Sequence, residues 1–160
     1  MQRSDDLARD CAELLEANRI LGWFQGRMEF GPRALGARSI LASPIDPAMQ
    51  ARINELKDRE DFRPVAPAVP EEDFADWFAG ASANGGRSPF MLFVHEVPPS
   101  RAERIPSACH SDRTARVQTV AEHTNPPFHA LLRAFGERTG VPVLINTSFN
   151  VRGEPIVCTP

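Results

Sequence analysis

Apolar residues recur along this chain at two periods, and each period marks a kind of element. Leu7, Cys11, Leu14 and Leu15 return at helical spacing behind Ser4 as a cap, with Asp5 and Asp6 where acids suit a helix N-terminus. Residues 20–25, ILGWFQ, are rich in branched and aromatic side chains and predict a buried strand, and residues 39–42 predict a second. Met49, Ile53 and Leu56 give one apolar face to a helix opened by Asp46 and Pro47. A strand enters at residues 65–69, and a short helix over 71–78 turns Phe74, Trp77 and Phe78 inward. Residues 90–97 predict another strand, and one more starts at Arg116. Pro126 and Pro127 open a helix that buries Leu131, Leu132 and Phe135 and stops at Gly140; residues 141–145 follow as a buried strand. The order α-β-turn-β-α-β-α-β-β-α-β predicts one α/β domain with a mixed sheet, undivided by repeat or linker. Residues 81–88, ASANGGRS, read as a connecting loop.

The polar positions between these elements carry the candidate chemistry. Residues 54–68, NELKDREDFRPVAPA, place Lys57, Arg59 and Arg63 where a helix gives way to a strand. Lys57 is the only lysine of the chain and falls off the apolar face of its helix, so it is expected to be exposed and available. Arginine forks bind oxyanions bidentately and lysine adds a mobile point charge, so this junction suits a phosphate chain; a solvated helix end is the plainer reading. Upstream, GPRALG sets Arg33 behind Gly31 and Pro32, and backbone N–H groups at a helix start beside an arginine make an anion site. His110, Asp112, Thr114 and Arg116 alternate and on extended chain would line one face. His110 with Asp112 lacks a third ligand at a convincing spacing, so no metal site is assigned. Asn146, Ser148 and Asn150 in NTSFN follow the last strand, where α/β sheets commonly bind ligands.

Composition narrows the partners. The net charge of −3 gives no global basic field for nucleic acid, while the arginines cluster locally, which favours a small anion. Three cysteines without CxxC spacing suggest a reducing compartment, no stretch is apolar enough to span a membrane, and residues 1–10 are no signal peptide; a cytoplasmic location is expected.

Five blocks, GWFQGRMEFGPRALGARSILA, RINELKDREDFRPVAPAV, SPFM, HSDRTARVQTV and PVLINTSFNVRGEPIV, together resemble the C-terminal domain of the NodU/CmcH/TobZ-type carbamoyltransferases, in the family order from residue 21 to residue 160. The resemblance implies a YrdC-like fold, a twisted mixed sheet with helices packed on both faces. It implies use of ATP, with Mg2+ on the nucleotide, and of carbamoyl phosphate to form carbamoyl-adenylate. A separate N-terminal domain of actin-like fold, itself holding a metal, would pass the carbamoyl group to a hydroxyl acceptor that this sequence does not name. Residues 1–160 would then be a single domain lacking that N-terminal partner and a final C-terminal segment. By resemblance Lys57 and Arg63 occupy the Lys/Arg phosphate motif, with Arg33 and Arg59 adding cationic density. Arg116 and Thr114 match a Thr-x-Arg motif, Ser148 and Asn150 match the polar nucleotide-contacting motif, and His110 positions carbamoyl phosphate as an acid or hydrogen-bond donor. His110, Lys57 and Arg116 are the catalytic candidates. Ala37, Ser43 and Arg113 depart from the family pattern of Asn, Asp and Gly. Two other readings compete: a threonylcarbamoyl-adenylate synthase-like enzyme, and a non-catalytic module binding nucleotide or RNA.

Overall fold

A computed structural model describes residues 4–80 and 85–160. Helix α1 (Leu7–Glu16) leads into β1 (Leu21–Phe24) and β2 (Arg38–Ala42); α2 (Met49–Leu56) and β3 (Ala66–Pro70) follow. A 3-10 turn (Glu71–Asp73) runs into α3 (Phe74–Trp77), and then come β4 (His95–Glu96), α4 (Pro99–Ala102), β5 (Thr114–Ala115), β6 (Gln118–Val120), α5 (Pro126–Thr139) and β7 (Leu144–Ser148). Five strands form one mixed sheet in the order β1-β2-β7-β3-β6, in which only the β3–β6 pair is parallel; β4 and β5 form a separate ribbon.

Alternation along the central strands divides the core in two. Leu41 and Leu144 join Leu15, Phe128, Leu131 and Phe135, so α1 and α5 cover one face. The next residues, Ala42 and Ile145, join Met49 and Ile53 of α2 on the other. Helix α5 begins at the Asn125 side chain, which accepts from Phe128 N, and ends at left-handed Gly140. Gly36 is needed for packing: a Cβ there would lie 2.3 Å from the Phe128 ring. The α1 cap is Asp6 instead of Ser4.

Three further expectations change, and a fourth lies partly outside the described residues. Strand β7 extends through Ser148, because Thr147 and Ser148 still pair with Ile40 and Ser39, so three of the five NTSFN residues are strand. The strand expected over 90–97 shrinks to His95–Glu96, while Phe90, Leu92, Phe93 and Val94 stay exposed. Residues 110–113 form a turn instead of extended chain, closed by His110 N donating to Thr114 O and Arg113 N donating to His110 O, with Arg113 at φ 61°. Of the loop expected over 81–88, residues 81–84 lie outside the described residues.

Candidate functional site

The site is built around the end of β7. Lys57 is the C-terminal cap of α2, and its ammonium reaches across to that strand end. Its Nζ donates to Ser148 O at 2.5 Å, Asn150 O at 2.7 Å and Asn150 Oδ1 at 3.0 Å, with Ser148 Oγ at 3.4 Å. Arg152 N returns a bond to Lys57 O. Lys57 is therefore only 5% exposed, contrary to expectation. Three N–H donors meet main-chain and amide oxygens, and this satisfies an ammonium well enough to bury it. Burial, with Arg59 beside it, pulls its pKa down to about 8.

Asn54, fully buried on α2, orders the cationic loop that follows. Its Nδ2 donates to Asp61 O and Arg63 O, and its Oδ1 accepts from Arg59 Nε at 2.7 Å. Arg59 is thereby held half-buried with its Nη2 unpaired. Burial first, then the neighbouring Arg63, lowers its pKa, and Glu60 opposes them. Arg63 is exposed and pairs with Glu60 at 3.0 Å. Lys57, Arg59, Arg63, Ser148, Asn150 and Arg152 line an outer compartment of about 270 Å³.

Arg59 and Ser148 also line a second compartment of about 110 Å³, together with Arg33, Arg116 and Asn146. Arg33 arrives on the turn after Gly31, but the turn holds no helix and the amides that follow Ala34 are occupied. Leu35 N and Ala37 N both donate to Glu29 Oε1, and Gly36 N donates to Ser39 Oγ. Leu35, Gly36 and Ala37 therefore offer no free amide to an anion, while Arg33 and Ala34 line the compartment. Burial, then Arg33, lowers the pKa of Arg116, whose Nε is buried and unpaired.

Arg116 in turn borders a third compartment of about 90 Å³ with His110, Val94 and the chain from Pro64 to Ala66. The Thr114 hydroxyl donates to Asp112 Oδ1 at 2.7 Å, so its oxygen accepts from His110 Nδ1 at 3.0 Å. That fixes the proton on Nδ1 and leaves Nε2 an acceptor. Burial is the main influence on His110 and lowers its pKa, helped by Arg116 and opposed by Asp112. With Nδ1 donating to Thr114, His110 offers Nε2 as an acceptor, whereas the resemblance implied an acid or hydrogen-bond donor. Thr114 acts behind it and lines none of the three compartments.

Nine of the candidates therefore line a chain of adjoining compartments, called the channel below: Lys57, Arg59, Arg63, Ser148 and Asn150 the first, Arg33, Arg59, Arg116, Asn146 and Ser148 the second, and Arg116 and His110 the third. Sequence reasoning missed Arg152, Asn54 and Gln118. Arg152 stands two residues past NTSFN and could have been found by extending that motif. Among the described residues no three His, Cys, Asp or Glu side chains are grouped to hold a metal, and no helix is long and apolar enough to cross a membrane.

A family model described as "Carbamoyltransferase C-terminus" matches residues 12–160. The chain is 46% identical to nodulation protein NolO of Bradyrhizobium diazoefficiens, covering 98% of the chain and 29% of that protein. It is 43% identical to 3'-hydroxymethylcephem-O-carbamoyltransferase of Amycolatopsis lactamdurans, covering 89% of the chain and 26% of that protein. The chain thus spans between a quarter and a third of the length of these curated relatives. Among solved structures, full-length HypF in a phosphate- and nucleotide-bound form superposes with a TM-score of 0.63 at 17% identity, over 98% of the chain and 19% of HypF. Sua5 from P. abyssi superposes with a TM-score of 0.62 at 15% identity, over 97% of the chain and 44% of that structure. These likenesses give the fold, a YrdC-like mixed sheet with helices.

Proposed function

The chain belongs to the carbamoyltransferase C-terminus family, and we propose that its channel binds ATP and carbamoyl phosphate and joins their parts as carbamoyl-adenylate. The observation that carries this reading is the clustering of Lys57, Arg33, Arg59, Arg63, Arg116 and Arg152 along adjoining compartments, with the Arg59 and Arg116 guanidinium groups each holding an unpaired buried nitrogen. A buried N–H without a partner is costly and is satisfied by an oxyanion. In this reading the outer compartment takes the phosphate tail of the nucleotide, and the second compartment takes the carbamoyl group.

The reaction brings two anions together. Water first cleaves carbamoyl phosphate to carbamate and inorganic phosphate, and a carbamate oxygen then attacks the α-phosphorus of ATP as the bond to pyrophosphate breaks. Mutual repulsion is the first barrier, and Arg33, Arg59 and Arg116 offset it on both partners. Lys57 holds the Ser148–Asn150 end in place and adds its charge beneath the outer compartment. His110, with Nε2 unprotonated, accepts a proton or hydrogen bond at the inner end. Of the outer-compartment residues only Glu60 is acidic, and it is paired with Arg63. Mg2+ would accordingly be held mainly by the nucleotide's own oxygens, where it neutralises phosphate charge.

Phe90, Leu92, Phe93 and Val94 remain exposed, and Val94 borders the inner compartment. We assign this apolar lip to contact with the remainder of a longer cytoplasmic protein, whose actin-like N-terminal domain would receive the labile adenylate and transfer the carbamoyl group to a hydroxyl. The test is ATP–pyrophosphate exchange by the isolated chain. Slow exchange that requires carbamoyl phosphate is expected. Exchange that requires threonine and bicarbonate instead would move the reading to threonylcarbamoyl-adenylate formation. Nucleotide binding without exchange under any condition would leave a binding module.

A further inference from the structure

Four buried side-chain polar atoms lack a partner among the described residues, and three of them belong to residues lining the second compartment: Arg59 Nη2, Arg116 Nε and Asn146 Oδ1. Two are donors and one is an acceptor. A plain oxyanion would satisfy the arginines and leave Asn146 repelled. The Asn146 carboxamide is 1% exposed, and it is locked. Its Nδ2 donates to Gln118 Oε1 at 2.7 Å and Ala34 O at 3.3 Å, while Gln118 Nε2 donates to Leu35 O at 2.8 Å. Each amide is thereby fixed in one orientation, because reversing either would set donor against donor or acceptor against acceptor. Asn146 Oδ1 remains an acceptor with nothing to accept.

The ligand that completes this compartment carries acceptor oxygens and an N–H donor on the same small group. Resting on the carbamoyl reading above, we propose that Asn146 is the specificity-determining residue of the site, its Oδ1 accepting from the amino group of the carbamoyl substrate while Arg59 and Arg116 bind the substrate's oxygens. Gln118 is then a positioning residue that aims the Asn146 carbonyl. An acyl phosphate with a methyl group in place of the amino group meets the same arginines but leaves Asn146 unpaired. Sites that hydrogen-bond a substrate N–H reject analogues lacking it for this reason.

The test compares carbamoyl phosphate with acetyl phosphate, which differ in that one group, by calorimetric titration of the unaltered chain. Carbamoyl phosphate should bind more tightly by roughly tenfold or more. In Asn146→Ala the preference should shrink to about twofold or less, with acetyl phosphate affinity retained. Equal binding of both phosphates by the unaltered chain would overturn the Asn146 assignment and leave the anion channel standing. So would a folded Asn146→Ala that keeps the full preference. Binding of neither phosphate would instead remove the carbamoyl reading itself, and this inference with it. If Asn146→Ala does not fold, the comparison on the unaltered chain decides.

Discussion

Raising the pH from 7 to 9 should weaken nucleotide binding through Lys57 alone. Its ammonium is buried beneath the outer compartment, and its pKa lies at about 8 because of burial and the adjacent Arg59. A terminal phosphate group has its last pKa at about 6, below this range. At pH 7 about nine-tenths of the chains carry the Lys57 proton, and at pH 9 about one-tenth. If the bound state needs that charge, affinity falls about tenfold, or about 1.4 kcal/mol. The same shift acts on folding with a definite sign. The folded pKa lies below the unfolded value, so the unfolded chain holds the proton more tightly between pH 8 and about 10.4. Stability therefore rises with pH across that window, by at most about 3 kcal/mol, and is lost again as pH falls through 8. The assay is calorimetric titration of ATP at pH 7, 8 and 9 and constant ionic strength, in two buffers of different ionisation enthalpy. At pH 8 binding should take up about half a proton. Affinity that is flat from pH 7 to 9, or an equal fall in a folded Lys57→Met variant, would refute the reasoning.

Three further outcomes follow from local geometry. Arg113 sits at φ 61° in the 110–113 turn, so Arg113→Gly should raise stability by about 0.5–1 kcal/mol, read as a higher urea midpoint. Gly36→Ala should cost about 2 kcal/mol or more, since φ is +104° and the new Cβ would meet the Phe128 ring at 2.3 Å; thermal melting reads it. His95 is buried with Nε2 unpaired, and burial lowers its pKa against the pull of the Ala79 backbone. Its contribution is full above the unfolded value near ~6.5 and lost as pH falls through the folded pKa, so His95→Phe should flatten the acid limb of the melting profile.

Local period and capping made most of the architecture legible. The helix ending at Gly140 and the strands around Trp23, Leu41 and Val69 follow from signals within a few residues. What escaped depends on partners far along the chain. Lys57 looks exposed from its place on the α2 wheel, yet its acceptors lie 91 and 93 residues away. The alternation from His110 to Arg116 fits a strand as well as a turn, and only the bond from His110 N to Thr114 O decides between them. The apolar run at residues 90–94 resembles a strand because it is hydrophobic, but most of its side chains are exposed. Clustering of arginine motifs was readable. The unpaired Asn146 oxygen was not, since it follows from Gln118, 28 residues distant, claiming the other end of the amide.

The adjoining compartments, in the reading proposed above, form an anion site shaped for a nucleotide. Its most direct test is titration of the unaltered chain with ATP and Mg2+ at two salt concentrations, beside Arg59→Ala. Binding at low salt that weakens as salt rises is expected, with a loss of roughly tenfold or more on removing the Arg59 guanidinium. Absence of binding at low salt, or an affinity unchanged in folded Arg59→Ala, would contradict it.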